Sequence, residues 1–294
     1  MSQPEPDGYV DGYVSDLTGA EARAAAPEKP APVPPPPPAP VSAEPVILKV
    51  EDLHIRFKVR RPAQHLIKRF LPNLVKAENT SSGRALEVVG LKGVSFTLRR
   101  GEHVGLVGMN GSGKTTLLRA VSGVLPPQSG SVSAPQNIYA LLNLSSGFDN
   151  ELSGYDNLKL KALYSGQTSG AEDADISDVI AFSGLGEFIF MPLKTYSAGM
   201  KARFALGAAT LGRPDLLVMD EWVGAGDMDF RARAHERLKS FVSSSGALLI
   251  ASHSYAILQA WVTRLIWIHE GAIVEDGPRD AVFKSYANFL AANR

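Results

Sequence analysis

The chain has 294 residues, 45% hydrophobic and 20% charged, with 30 basic and 30 acidic side chains, 20 prolines and no cysteine. At about 100–200 residues per domain this is one large domain or two small ones, long enough to bury a core. The missing cysteines exclude a disulfide scaffold, cysteine-ligated zinc, iron–sulfur clusters and thiol catalysis. No apolar run reaches the ~18 residues that cross a bilayer and the polar N-terminus lacks a signal-peptide core, so the chain is not expected to span a membrane by itself.

The zero net charge averages unlike pieces. Residues 1–45 hold 12 of the prolines, including the run Pro34 to Pro38, and carry seven acids against two bases (Arg23 and Lys29). So acidic a segment, poor in large apolar side chains, cannot offset its ordering entropy and is expected to be a disordered tail with polyproline II character. It is either a solvated tail or a ligand for a proline-recognising partner. Strands are expected at Val46–Val50 and Leu53–Phe57. Residues 58–84 then form an insertion. From Arg56 to Lys76 there are seven bases and no acid. Leu66, Ile67, Phe70, Leu71 and Leu74 recur at helical spacing, which predicts a short basic amphipathic helix over 63–75 that Pro72 kinks or ends. Such a helix lies at a membrane surface, docks on a partner or packs on its own domain.

Beyond residue 85, Val104–Val107, Ile138–Leu142, Leu216–Met219, Ala247–Ala251 and Leu265–Ile268 are short and aliphatic, as buried parallel strands are. The region from about 150 to 212 reads as mostly helical, and another helix is expected over 281–290. With no internal repeat, the chain holds one nucleotide-binding unit.

The chemistry concentrates in two places. Gly108-Met109-Asn110-Gly111-Ser112-Gly113-Lys114-Thr115 fits G-x-x-x-x-G-K-[ST], entered by an apolar strand and left through the helical Thr116-Leu117-Leu118-Arg119-Ala120. Glycines let successive backbone N–H groups face phosphate, and the helix N-terminus adds its dipole. Lys114 would bridge β- and γ-phosphate, and the Thr115 hydroxyl would bind Mg²⁺. A second metal carboxylate is needed at the end of a neighbouring strand; Leu216–Met219 leads into Asp220, for Mg²⁺, and Glu221, placed to polarise the attacking water. Together these residues predict an ATPase or GTPase.

Between them, Tyr196-Ser197-Ala198-Gly199-Met200-Lys201 resembles the L-S-G-G-Q signature of ABC ATPases. Gly224-Ala225-Gly226-Asp227 is similar to that family's D-loop, and Ser252-His253 to its switch histidine. The resemblance covers about residues 46–290. It implies an α/β fold: a phosphate-loop core of RecA type, an antiparallel β subdomain and a helical signature subdomain over about 150–212. It also implies that Ser197 and Gly199 grip the γ-phosphate held by a second copy of the chain, in a head-to-tail dimer with two ATP at the interface. Tyr-Ser-Ala-Gly-Met, the run Leu141–Gly154 and Asp220–Asp227 narrow the resemblance to the ATPase subunits that export O-antigen, teichoic acid, galactan and related lipid-linked polysaccharides. In those proteins a short gate helix facing the channel sits where the 58–84 insertion falls, and its basic charge suits anionic head groups or a pyrophosphate-linked substrate.

What the resemblance implies is an ATP-hydrolysing subunit using ATP and Mg²⁺, peripheral on the cytoplasmic face of the inner membrane. Its partners would be a second copy, a separate transmembrane permease and, through the permease, the polysaccharide, with no nucleic acid. The alternative is a non-transport ABC ATPase acting as a membrane-associated regulatory or assembly module. Three departures stand out. The usual Q-loop glutamine is missing, with Asn143 or Ser146 near its place. The ring that stacks on adenine is replaced by Val88 or Val89, leaving the base to Phe57 or to no ring. The C-terminal carbohydrate-binding domain of some members is not expected here.

Overall fold

The computed structural model describes residues 44–59, 75–77, 86–142, 147–164, 171–220 and 228–293. The tail up to residue 43, the helix expected over 63–75 except for its last residue, and Asn143, Ser146, Glu221 and Gly224–Asp227 lie outside them. Val75 itself is strand, not helix.

An antiparallel sheet comes first, built from β1 (Val46–Val59), β2 (Val75–Ala77), β3 (Leu86–Arg99) and, from further along the chain, Ser129–Ser133, which is β5. Their order is β2-β3-β1-β5. The two strands expected at 46–50 and 53–57 are one strand with a bulge. Asp52 takes φ +45° and donates its N–H to Ser95 Oγ at 2.8 Å. One inserted residue shifts the side-chain alternation by one, so Leu48 and Val50 before the bulge and Leu53 and Ile55 after it all face the core. Opposite, Gly93 at φ +66° does the same for β3, aligning Leu91 with Val94, Phe96 and Leu98.

The second sheet contains β4 (His103–Val107), β6 (Ile138–Leu141), β7 (Leu216–Asp220), β8 (Leu248–Ala251), β9 (Arg264–His269) and β10 (Ala272–Pro278), in the order β10-β9-β4-β8-β7-β6. Its five aliphatic strands are parallel and β10 is an antiparallel edge. Strands covered on both faces cannot alternate, which is why β8 is buried at every position. The described helices are α1 (Lys114–Val121), α2 (Gly154–Tyr164), α3 (Ala171–Ser183), α4 (Ala198–Ala209), α5 (Met228–Ser244), α6 (Tyr255–Trp261) and α7 (Arg279–Ala292).

Three apolar clusters hold these layers. Between the sheets, Leu53, Ile55, Leu91 and Leu98 meet α1 (Leu117, Leu118) and the inner face of the parallel sheet (Leu106, Leu249, Ile266). On the other face, α5, α6 and α7 cover Leu217, Leu248, Ile250 and Trp267. Leu158, Ile176, Val179, Leu193 and Phe204 form a separate core for α2–α4. Fully burying one such side chain contributes about 1.5–3 kcal/mol. Two arginines tie the layers. Arg264 makes a two-pronged pair with Asp276 at 2.7 and 2.6 Å and donates to Thr97 O of the antiparallel sheet at 3.0 Å. Arg237 of α5 donates to Thr210 Oγ1 at 2.6 Å, pairs with Asp178 of α3 at 2.7 Å and lies over the Phe182 ring. A planar fork suits both arrangements in a way a lysine would not.

Candidate functional site

Three adjacent parallel strands, β4, β8 and β7, end on the same side of the sheet, and their C-terminal ends carry the phosphate loop, Ser252-His253 and Asp220. This is where open α/β sheets place their ligands. A cavity of about 470 Å³ lies there, lined by residues 110–116, Asp220, Ala251, Ser252 and His253, with Phe57, Val88, Val89 and Gly90 along one side.

The loop is shaped by backbone that only glycine tolerates. Gly108 sits at φ +152°, and a Cβ there would lie 2.2 Å from Ile268 O and 2.7 Å from Ser112 Oγ. Gly113, at φ +113°, precedes α1 and provides no side-chain cap, so the first N–H groups of the helix are left for an acceptor. Lys114 is buried, with Nζ donating to Gly108 O at 2.6 Å and Met109 O at 3.1 Å. Ser112 Oγ is buried without a hydrogen-bond partner among the described residues. An uncapped helix N-terminus, an orphaned hydroxyl and an ammonium around one cavity fit the oxygens of a polyphosphate.

Of the site residues read from the sequence, Asn110, Gly111, Ser112, Gly113, Lys114, Thr115, Thr116, Asp220 and His253 line this cavity. Gly108 turns the chain just before it. Ser197 and Gly199 do not line it. Ser197 caps α4, its Oγ accepting from Met200 N–H at 3.2 Å, and both residues are exposed, with open space where a Gly199 Cβ would stand. Glu221, one residue past Asp220, lies outside the described residues.

Phe57 is the only phenyl ring lining the cavity among the described residues. It faces Val88 across the β1–β3 ladder, and its ring edge reaches Gly90: a Cβ there would stand 2.8 Å from Phe57 Cε2. Other contributors escaped the sequence reading. Gly271, at φ +81°, donates its N–H to Ser112 O at 2.8 Å and accepts from Lys92 N–H at 2.7 Å, pinning the phosphate loop from the β9–β10 turn. A Cβ on Gly271 would meet Gly90 O at 2.9 Å. A glycine inside an apolar strand pattern, as Gly90 is, signals such close backbone approach. Asn157 of α2 is buried and brackets Asp149, accepting from its N–H and donating to its O, both at 2.9 Å. Tyr196 carries no surface role: it is buried, donates to Phe188 O at 2.8 Å, and burial raises its phenol pKa.

The profile of the ABC transporter family matches residues 91–224. The O-antigen export system ATP-binding protein RfbE of Yersinia enterocolitica is 35% identical over 196 residues, covering 67% of this chain and 82% of that protein. The teichoic acids export ATP-binding protein TagH of Levilactobacillus brevis is 34% identical over 199 residues, and the match spans 55% of its length. A solved ATP-binding subunit of an ABC transporter superposes with a TM-score of 0.63 at 19% identity, over 84% of this chain and all of that one, a likeness of fold. The chain is thus a nucleotide-binding ABC-type ATPase, and it belongs to the ATP-binding subunits of ABC transporters, in the group of the O-antigen and teichoic acid export proteins.

Proposed function

We propose that this chain is the ATP-hydrolysing subunit of an exporter of lipid-linked polysaccharide, working as a head-to-tail pair beneath a separate membrane-spanning subunit at the cytoplasmic face of the inner membrane. The observation that carries this is the match over 82% of an O-antigen export ATP-binding protein, joined to a cavity that gathers the phosphate loop, Asp220 and His253.

In this reading the loop N–H groups, Ser112 and Lys114 hold the β- and γ-phosphates. Thr115 and Asp220 would hold Mg²⁺, which supplies charge neutralisation on the phosphoryl oxygens. Glu221 takes the proton of the attacking water as its oxygen bonds to the γ-phosphorus and the bridging P–O bond to ADP breaks. His253 orients the γ-phosphate. Ser197 and Gly199 stand exposed and do not line the cavity that holds Lys114, which supports their acting on nucleotide held by a second copy. Residue 46 to residue 290 acts as the ATPase domain, with 150–212 as its signature subdomain and 58–84 as the gate insertion.

No helix among the described residues is long and apolar enough to cross a membrane; in this reading the channel is the separate membrane-spanning subunit. Leu163, Tyr164, Phe188, Phe190 and Met191 leave an apolar surface exposed on the helical region, and such patches suit a docking partner. The test is purification of the tagged full chain from membranes of its native host. The expected result is a stable complex with a multi-span membrane protein and loss of surface polysaccharide when the chain is depleted. A chain that leaves no membrane partner bound, in cells whose surface polysaccharide is unchanged by its depletion, contradicts the proposal.

A further inference from the structure

We infer that Tyr255 is a positioning residue for His253, held by the C-terminal helix α7, which grips α6 at both ends. The inference rests on the reading above that His253 acts at the γ-phosphate.

His253 lines the cavity and is followed by Ser254 and then directly by α6, seven residues long, whose first residue is Tyr255. A helix of two turns has little stability of its own, so its placement is set by what it packs on. At its start, the Tyr255 ring lies 4.0 Å from the Phe283 ring of α7, centroid to centroid, and the hydroxyl donates to Asp280 Oδ1 at 3.3 Å. At its end, Arg279 Nη1 donates to Gln259 O at 2.7 Å and to Val262 O at 3.2 Å, the carbonyls that a helix C-terminus leaves open and where a cation is favoured. Arg279 and Asp280 also pair with each other, Nε to Oδ1 at 2.8 Å, and that pairing holds the Asp280 carboxyl below the usual carboxylate range. Thus two neighbouring residues at the first turn of α7 hold opposite ends of α6.

The grip is rigid because α7 is anchored elsewhere. Val282 is fully buried, and Tyr286 and Phe289 pack on Trp267 of β9 at 5.7 and 5.1 Å. Strand β9 lies beside β4, which feeds the phosphate loop. The load path therefore runs from the central sheet through α7 to Tyr255, two residues from His253. None of the α7 residues lines the cavity, so they act on turnover through the placement of His253.

The experiment measures steady-state ATP hydrolysis by the full chain in its assembled form, for wild type, Tyr255→Ala, Tyr255→Leu, Tyr255→Phe, His253→Ala and the double variant His253→Ala/Tyr255→Ala, with thermal melting alongside. Tyr255→Ala is expected to lower kcat by roughly 3- to 30-fold while KM for ATP stays within about two-fold, the scale of coupling through packed side chains. Tyr255→Leu keeps bulk without the ring stack and covers the case in which the alanine variant does not fold. Tyr255→Phe, which keeps the stack and loses the hydroxyl bond, should retain most of the rate. In the His253→Ala background the second substitution should cost less than about two-fold, since a residue that acts only through His253 adds nothing once His253 is gone. Losses that multiply in the double variant, or a Tyr255→Leu enzyme with wild-type kcat, overturn the positioning role while leaving the function of His253 intact. A His253→Ala enzyme that turns over at the wild-type rate instead removes the reading beneath it, and the inference falls with it.

Discussion

Truncating Phe57 to alanine separates the two ends of the nucleotide cavity. The ring is 39% exposed, lines the cavity and has one edge beside Gly90. A fully buried Phe→Ala change costs about 3–5 kcal/mol, and a ring this exposed forfeits only part of that, so the variant should fold. A base laid on an aromatic face gains about 1–3 kcal/mol. Val88, Val89 and Gly90, which share that flank, offer no other ring and no side-chain hydrogen bond to the base. At 1.4 kcal/mol per decade, ATP affinity should fall by roughly 5- to 150-fold. Inorganic tripolyphosphate meets only the loop and Lys114, so its affinity should stay within about two-fold, and Phe57→Trp should bind ATP as wild type does. Stacking reads no base edge, so ATP and GTP should differ by less than about tenfold. Calorimetric titration of the full chain with each ligand gives these constants. An unchanged ATP affinity in Phe57→Ala, or an equal loss for tripolyphosphate, refutes the platform role.

Two further outcomes are expected. Ser197→Arg and Lys114→Ala should each abolish hydrolysis alone, while mixing the two subunits should restore about one active site per dimer; mixed dimers that form and stay inactive argue against a site shared between copies. Gly271→Ala places a Cβ 2.9 Å from Gly90 O in left-handed backbone, which costs about 2–4 kcal/mol in strain and displacement, and it should lower Tm and raise KM for ATP together because Gly271 holds Ser112 O; an unchanged KM detaches that turn from the phosphate loop.

The parallel sheet was legible because strands buried on both faces must be aliphatic throughout, as Leu216–Met219 and Ala247–Ala251 are, and the phosphate loop because its glycines and Lys114 sit at a fixed spacing between strand and helix. What sequence spacing does not carry is contact between distant backbones. The single strand β1 looked like two because the residue that bulges it, Asp52, is polar and breaks the alternation, and only Ser95, 43 positions on, explains why the strand continues. Gly271 is likewise an ordinary turn residue until the fold brings it against Gly90 and Ser112. The nearness of Phe57 to Gly90 depends on the β1–β3 register, which the intervening insertion hides from any local reading. Asn157 reads as one more polar residue on a helix, yet it is buried and bonds both the N–H and the O of Asp149, a contact that sequence spacing does not show.

The central claim is that hydrolysis by this chain drives export of a polysaccharide, and Glu221→Gln tests it most directly. In native host cells depleted of the chain, wild type should restore surface polysaccharide. Glu221→Gln should bind ATP with wild-type affinity, hydrolyse it at no more than about a hundredth of the rate, since removing a general base costs 10²–10⁴-fold, and leave the polysaccharide inside the cell. Restoration of surface polysaccharide by Glu221→Gln contradicts the account.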